Sequence, residues 1–333
     1  MRRTRQGWRG WLTGIGVGAA ALGWVGCQGG GAVIEPTAPG IDGLYGRASV
    51  ELSNARVVVG IVPEIGRVMH FGPATGGGNA MWTRDASGDE GWKNWGGDKA
   101  WWWPQDEWWA IRGEAGKQWP PPSQMDGEPW ELVGREGRRS VAIRSVADQV
   151  LGSRFERRFR VVGDEAAMVV TTTLVPVEGL ERYRVLTQAG ALPAWAVPWT
   201  VTQVPTDLPI YARLVEGATT GQVWMKPMMG ETPMSVHPVG SGWVRIDRDK
   251  SEGRKLGIEA DVLAVRLADG AWLVQRYLGS ATGGSFEPAE RAQVYQAGEY
   301  VELEFIGPST GGPGPRSFEL EWRLQDEPPF ALE

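Results

Sequence analysis

Between Trp92 and Trp109 the chain places seven of its 19 tryptophans: Trp92, Trp95, Trp101, Trp102, Trp103, Trp108 and Trp109. Interleaved with them stand Asn94, Gly96, Gly97, Asp98, Lys99, Gln105, Asp106 and Glu107. Indoles beside amides and carboxylates have the chemistry of a pyranose site. The C–H face of the sugar packs on an aromatic π-cloud, and its hydroxyls need polar partners. Three consecutive tryptophans cannot all enter one core, because side chains on a strand alternate between faces. Some of these rings therefore point away from the main core, either onto a ligand or under a loop folded over a sheet. The residues alone allow both. The candidate ligand contacts of the segment are Lys99, Trp101, Trp103, Gln105 and Trp108.

Three further positions join them. Trp199 and Gln203 lie four apart on one strand pattern and so share a face, an aromatic platform beside an amide. Arg67 follows Gly66 at a strand start, where its planar fork suits a sugar hydroxyl or carboxylate, or simply solvates an edge. Acid/base work needs titratable groups within reach of the substrate. The chain has only two histidines. His70, in the apolar run Val68-Met69-His70-Phe71, reads as a hydrogen-bonded core residue before it reads as a catalyst. His237, in Val236-His237-Pro238, reads as a surface loop. Glu302 and Glu304 share a strand face, which suits a cation or acid/base chemistry. Glu319 and Glu321 repeat that spacing, so solvation is the competing reading. His70, Asp106 and Glu302 are the acid/base candidates. Two separated histidines and no acidic ligand pattern give no metal site, and no cofactor is expected. Met225, Met228, Met229 and Met234 cluster without helical spacing and are expected to fill a core gap.

Positioning these groups falls to strands. Few or no helices are expected outside the N-terminal signal. Period-two or β-branched runs occupy 56–62, 65–71, 151–162, 166–175, 182–188, 199–204, 210–215, 262–267, 272–277, 300–306 and 317–324. Gly163-Asp164, Asp269-Gly270 and Ala297-Gly298 punctuate them, and Asp269-Gly270 between two apolar runs is the strongest hairpin signal. Many short strands with turns between them make an all-β sandwich or barrel. No linker-like stretch interrupts 47–325, so this span is expected to be one domain, with 326–333 a tail.

The first 26 of the 333 residues read as an export signal. Arg2, Arg3, Arg5 and Arg9 give a positive start, and 12–25 is apolar but short and glycine-rich for a membrane span. The run ends in Trp24-Val25-Gly26-Cys27, which resembles a bacterial lipobox around the chain's only cysteine. Cys27 is the expected lipidation site, and 27–46, rich in Gly, Pro, Ala and Thr, a tether. The expected location is exported and lipid-anchored to a bacterial membrane, with the general and twin-arginine routes both open. The formal net charge is −6, and loss of the signal removes four arginines and no acid. An acidic chain is a poor match for a phosphate backbone, which excludes nucleic acid as the expected partner.

Asn54-Ala55-Arg56-Val57-Val58-Val59 and Val62-Pro63-Glu64-Ile65-Gly66-Arg67-Val68 resemble the opening of galactose-mutarotase-like domains. Trp95-Gly96-Gly97-Asp98-Lys99-Ala100-Trp101, with Pro104-Gln105, resembles one bacterial group, domain of unknown function 4380. Trp199-Thr200-Val201-Thr202-Gln203-Val204 and Tyr300-Val301-Glu302-Leu303-Glu304 extend the match over roughly 48–325. The resemblance implies a large antiparallel β-supersandwich whose concave sheet binds sugars in characterised relatives. Aldose 1-epimerases of this fold use a histidine acid and a glutamate base. Where the resemblance would put the histidine stand Trp199 and Gln203, and where it would put the base, near 272–277, stand Gln275 and Arg276. Neither replacement shuttles protons at neutral pH. Three classes of function follow: a carbohydrate-binding envelope protein, a carbohydrate-active enzyme of epimerase or lyase type, and an envelope scaffold whose tryptophans only pack.

Overall fold

Alternation is cleanest in Ser153–Val161, where Phe155, Arg157, Phe159 and Val161 are buried and Arg158 and Arg160 are exposed. A strand of this kind hides one face and wets the other. In the computed structural model 19 strands form among the described residues, which are 43–177, 192, 195–218, 225–230, 234–248, 253–280, 282–286, 290–309, 312 and 314–330. In chain order the first ten are β1 (Val50–Ser53), β2 (Val57–Val62), β3 (Arg67–Pro73), β4 (Asp98–Trp103), β5 (Glu131–Glu136), β6 (Ser140–Arg144), β7 (Ser153–Val161), β8 (Ala167–Pro176), β9 (Val197–Val204) and β10 (Ile210–Leu214). They continue as β11 (Met225–Met229), β12 (Val236–Gly240), β13 (Trp243–Ile246), β14 (Arg254–Ile258), β15 (Ala260–Arg266), β16 (Trp272–Gly279), β17 (Ala292–Gln296), β18 (Val301–Ile306) and β19 (Arg316–Gln325). One four-residue helix, α1 (Glu107–Ala110), and a 3-10 turn at Pro63–Ile65 are the helical pieces described. Cys27, the tether up to residue 42 and the expected strand at 182–188 lie outside the described residues.

The strands pair antiparallel into two sheets. A nine-stranded sheet runs β1-β2-β3-β4-β9-β18-β17-β14-β11, and a ten-stranded sheet runs β12-β13-β10-β15-β16-β19-β8-β7-β6-β5. They face each other across one apolar core, in which Phe71 of β3 meets Trp322 of β19 edge-on at 5.7 Å. The facing sides also carry a polar tie. Arg157 of β7 bonds the carboxylate of Asp98 on β4, and Gln275 Nε2 of β16 donates to Thr202 Oγ1 of β9 at 2.8 Å. All four side chains are buried. Gln275 is thus a core residue joining the sheets, a role remote from proton transfer.

Two expectations are corrected here. The Met- and Pro-rich region around His237 is two strands, β11 and β12, rather than loop. Its methionines do not share one core gap either: Met234 is buried, whereas Met229 is 46% exposed on the edge strand β11. The C-terminal segment packs back, Phe330 stacking on Tyr211 at 4.6 Å and lying against Trp243 and Trp272.

Candidate functional site

Because Asp98 and Thr202 face the core, alternation sends Lys99, Trp101 and Trp103 of β4, and Trp199, Val201 and Gln203 of β9, to the outer face of the nine-stranded sheet. Gln203 lies opposite Glu302, and Val201 opposite Glu304, so both glutamates share that face. The turn before β4 fixes this phase. Gly96 and Gly97 have φ of +84° and +72°, and a Cβ on them would sit 2.1 Å from the Trp82 carbonyl oxygen and 2.3 Å from that of Val68. Only glycine fits both places.

On this face the charges are paired, largely across strands. Arg67 of β3 donates to Asp126 Oδ1 at 2.6 Å and to the Gly96 carbonyl at 2.7 Å. Lys99 Nζ lies 3.5 Å from Glu302 Oε1, which also accepts from Gln203 Nε2 at 2.8 Å. Glu304 Oε2 accepts from Trp199 Nε1 and from Lys255 Nζ of β14, each at 2.8 Å. The indoles line up with the cations: Lys99 Nζ stands 4.6 Å from the Trp101 ring, and Lys255 Nζ 4.5 Å from that of Trp199. Burial pushes the Glu304 carboxyl up to about 7 against the pull of Lys255, with the Glu302 charge adding to the rise. Burial also lowers the Lys99 ammonium, opposed by Glu302. Glu302 and Glu304 are therefore buried pair members, not the solvated carboxylates their spacing suggested.

Loops roof most of this face. Trp108 of α1 donates to the Trp102 carbonyl at 2.8 Å, and its ring lies 5.3 Å from Trp101 edge-on. Trp119 covers Trp101 at 5.9 Å, and Trp92 donates to Asp126 Oδ2 at 3.0 Å. Beyond the roof, toward β11, a cleft of about 810 Å³ opens. One wall is Trp103, Pro104, Gln105, Asp106 and Gln118; Trp195, Val197 and Ile306 lie between; the far wall has Lys226, Pro227, Met228, Met229, Phe286 and Glu290, with Lys255 also lining it.

The structure thus divides the expected site residues. Trp103, Gln105 and Asp106 line the cleft. Trp101, Trp108, Trp199, Lys99, Gln203 and Arg67 are each no more than 2% exposed and stand beneath the roof. Glu302 is buried with them and does not line the cleft; its charge acts on the neighbouring Glu304, whose partner Lys255 does. His70 is buried on β3, and His237 is exposed and bonded to Asp247 Oδ2 at 3.0 Å; neither lines the cleft. Sequence reading missed Lys255, Trp195, Lys226, Phe286 and Glu290. The alternation Lys255-Leu256-Gly257-Ile258 was a usable strand signal for the first of these. No group of three or more metal-ligating side chains occurs among the described residues.

No family model matches the sequence, and no curated protein matches it. Solved structures do. A galactose mutarotase-like protein from Lactobacillus casei superposes with a TM-score of 0.54 at 10% identity, over 83% of this chain and 100% of its own. The chain has the galactose-mutarotase-like fold. A galactose mutarotase related enzyme and a galactose 1-epimerase, both from Lactobacillus acidophilus, match at TM-scores of 0.46 and 0.44. Their identities are 6% and 8%, and each match covers 83% of this chain, with 97% and 93% of the other chains. Within the mutarotase-like sandwich of this protein, the outer face of the nine-stranded sheet carries the paired charges, the tryptophans and the cleft.

Proposed function

We propose that this is an exported, lipid-anchored protein of the bacterial envelope that binds carbohydrate in the cleft beside Trp103. One observation carries the binding reading: two half-buried indoles, Trp103 and Trp195, line an open cleft together with Gln105, Gln118 and Asp106. Aromatic faces with convergent amides and a carboxylate are what a pyranose needs. Fold alone does not settle function; the side chains in the cleft supply the support. The anchor rests on the lipobox-like Trp24-Val25-Gly26-Cys27. The Gly96-Gly97-Asp98-Lys99 motif, whose glycines and charges are each structurally committed, supports placing the chain with domain of unknown function 4380.

The test is tryptophan fluorescence of the full chain titrated with neutral and acidic sugars. A saturable response is expected, and Trp103→Ala should weaken it about tenfold or more. A flat response to every sugar defeats the binding reading.

A second reading, an acid/base enzyme of epimerase or lyase type, is favoured by Glu304. A carboxyl held near 7 is matched to proton transfer at neutral pH, and its partner Lys255 lines the cleft. Nuclear magnetic resonance of a bound sugar, following anomer exchange or unsaturated product, separates catalyst from binder. Conversion that disappears in Glu304→Gln supports the enzyme.

A further inference from the structure

The cleft has two chemically different ends. At the β4 end stand Trp103, Gln105, Asp106 and Gln118. At the β11 end stand Pro227, Met228, Met229 and Phe286. Polar groups stand near that end too: Lys226 Nζ bonds Glu290 Oε1 at 2.9 Å, Lys255, opposite Met229, bonds Glu304 Oε2 at 2.8 Å, and Ser285 and Ser309 also line the cleft. β4 and β11 are five strand steps apart in the sheet order, roughly 24 Å between backbones at ordinary strand spacing, but side chains converge over the cleft: Nζ of Lys255, the residue opposite Met229, lies 6.0 Å from the Trp103 ring. A volume of about 810 Å³ is in the range that holds drug-sized ligands, well beyond a lone pyranose ring. A second sugar ring laid on the Pro227, Met228, Met229 and Phe286 patch itself would meet thioethers, a proline and a phenyl ring where its hydroxyls need donors and acceptors, and would lose hydration there without replacement. Methionine adapts its shape to apolar groups of different outline, and Met229 is 46% exposed.

Resting on the carbohydrate reading, we propose that the cleft takes a pyranose carrying an apolar substituent, as in an alkyl or aryl glycoside. The sugar ring lies at Trp103 and Gln105, and the substituent lies against Met228, Met229 and Phe286.

The test uses the full chain in lipid nanodiscs and compares methyl, butyl and phenyl β-glucosides and β-galactosides, with 1-butanol as the chain without a sugar. Each buried methylene tightens binding roughly fourfold, so butyl should bind at least about tenfold tighter than methyl, and butanol should not compete. Met228→Ser with Met229→Ser, on an edge strand, should leave methyl glycoside binding intact and remove the gain from the substituent. A preference for butyl assigns a lipid-derived chain, and a preference for phenyl an aromatic aglycone; either supports the proposal. Equal affinity for all three glycosides overturns it while leaving carbohydrate binding standing. A gain that survives in the double serine variant reports partition into the bilayer and also overturns it. Competition by butanol overturns the requirement for a sugar. Failure of every glycoside, methyl included, defeats the binding reading itself.

Discussion

Glu304 sits at the junction of the buried stripe and the cleft, and its titration is the most accessible consequence of that position. Lys255, Trp199, Glu302 and, from the neighbouring β17, Gln293 are charged and polar groups that face it. Its carboxyl is pushed from an ordinary 4.5 up to about 7 chiefly by burial. The folded chain therefore holds this proton more tightly than the unfolded chain does, and stability falls as pH rises between those two values. The contribution is fully present below the unfolded value and lost as pH passes the folded one. Thermal melts of wild type and Glu304→Gln should show this directly. The difference in Tm, wild type minus variant, should decline between about pH 4.5 and 7 and level off above. A difference that is flat, or that grows with pH, would show that the carboxylate is ionised throughout and that Lys255 outweighs burial.

At the scale of elements, the two sheets are held in phase by Asp98, Arg157, Thr202 and Gln275 as well as by the apolar core. Burial raises the Asp98 carboxyl, with Arg157 pulling the other way. Removing one member of a buried pair strands the other charge and costs about 3–5 kcal/mol, whereas replacing both with apolar residues can be nearly neutral. Asp98→Ala is accordingly expected to lower the unfolding free energy from denaturant titration by that order, and Asp98→Leu with Arg157→Met to recover most of the loss. Additive single losses would mean the pair contributes nothing as a pair. Asp98 also shows what a sequence can convey. The runs over 151–162, 166–175 and 317–324 were legible, because the strands they form, β7, β8 and β19, each keep part of one face wet enough to be polar. β4 was not read as a strand, since Asp98–Trp103 is covered on both sides and alternation vanishes. Trp103, Gln105 and Asp106 could be nominated from composition. Lys255 could not, because its neighbours Glu304 and Trp199 arrive from strands 49 and 56 residues away in the chain, through pairings that only the assembled sheet defines.

For the whole molecule, the domain described here has no disulfide to draw on, since the chain's one cysteine is Cys27. Stability rests on the core between the sheets and on the buried ion pairs, so the anchor and the fold are separable in principle. No described helix is long and apolar enough to cross a membrane; the attachment proposed above is Cys27. If lipidated Cys27 supplies the attachment, Cys27→Ala should move the exported protein from the membrane fraction to the soluble fraction. Its tryptophan emission should stay at the wild-type position, because the indoles of Trp101, Trp108 and Trp199 are sheltered by the β-sandwich and its loops. Fractionation and emission spectra of the same preparations read both outcomes. A Cys27→Ala protein that stays with membranes in high salt, with its signal removed, would place the attachment on the folded domain and remove the basis for the lipid anchor.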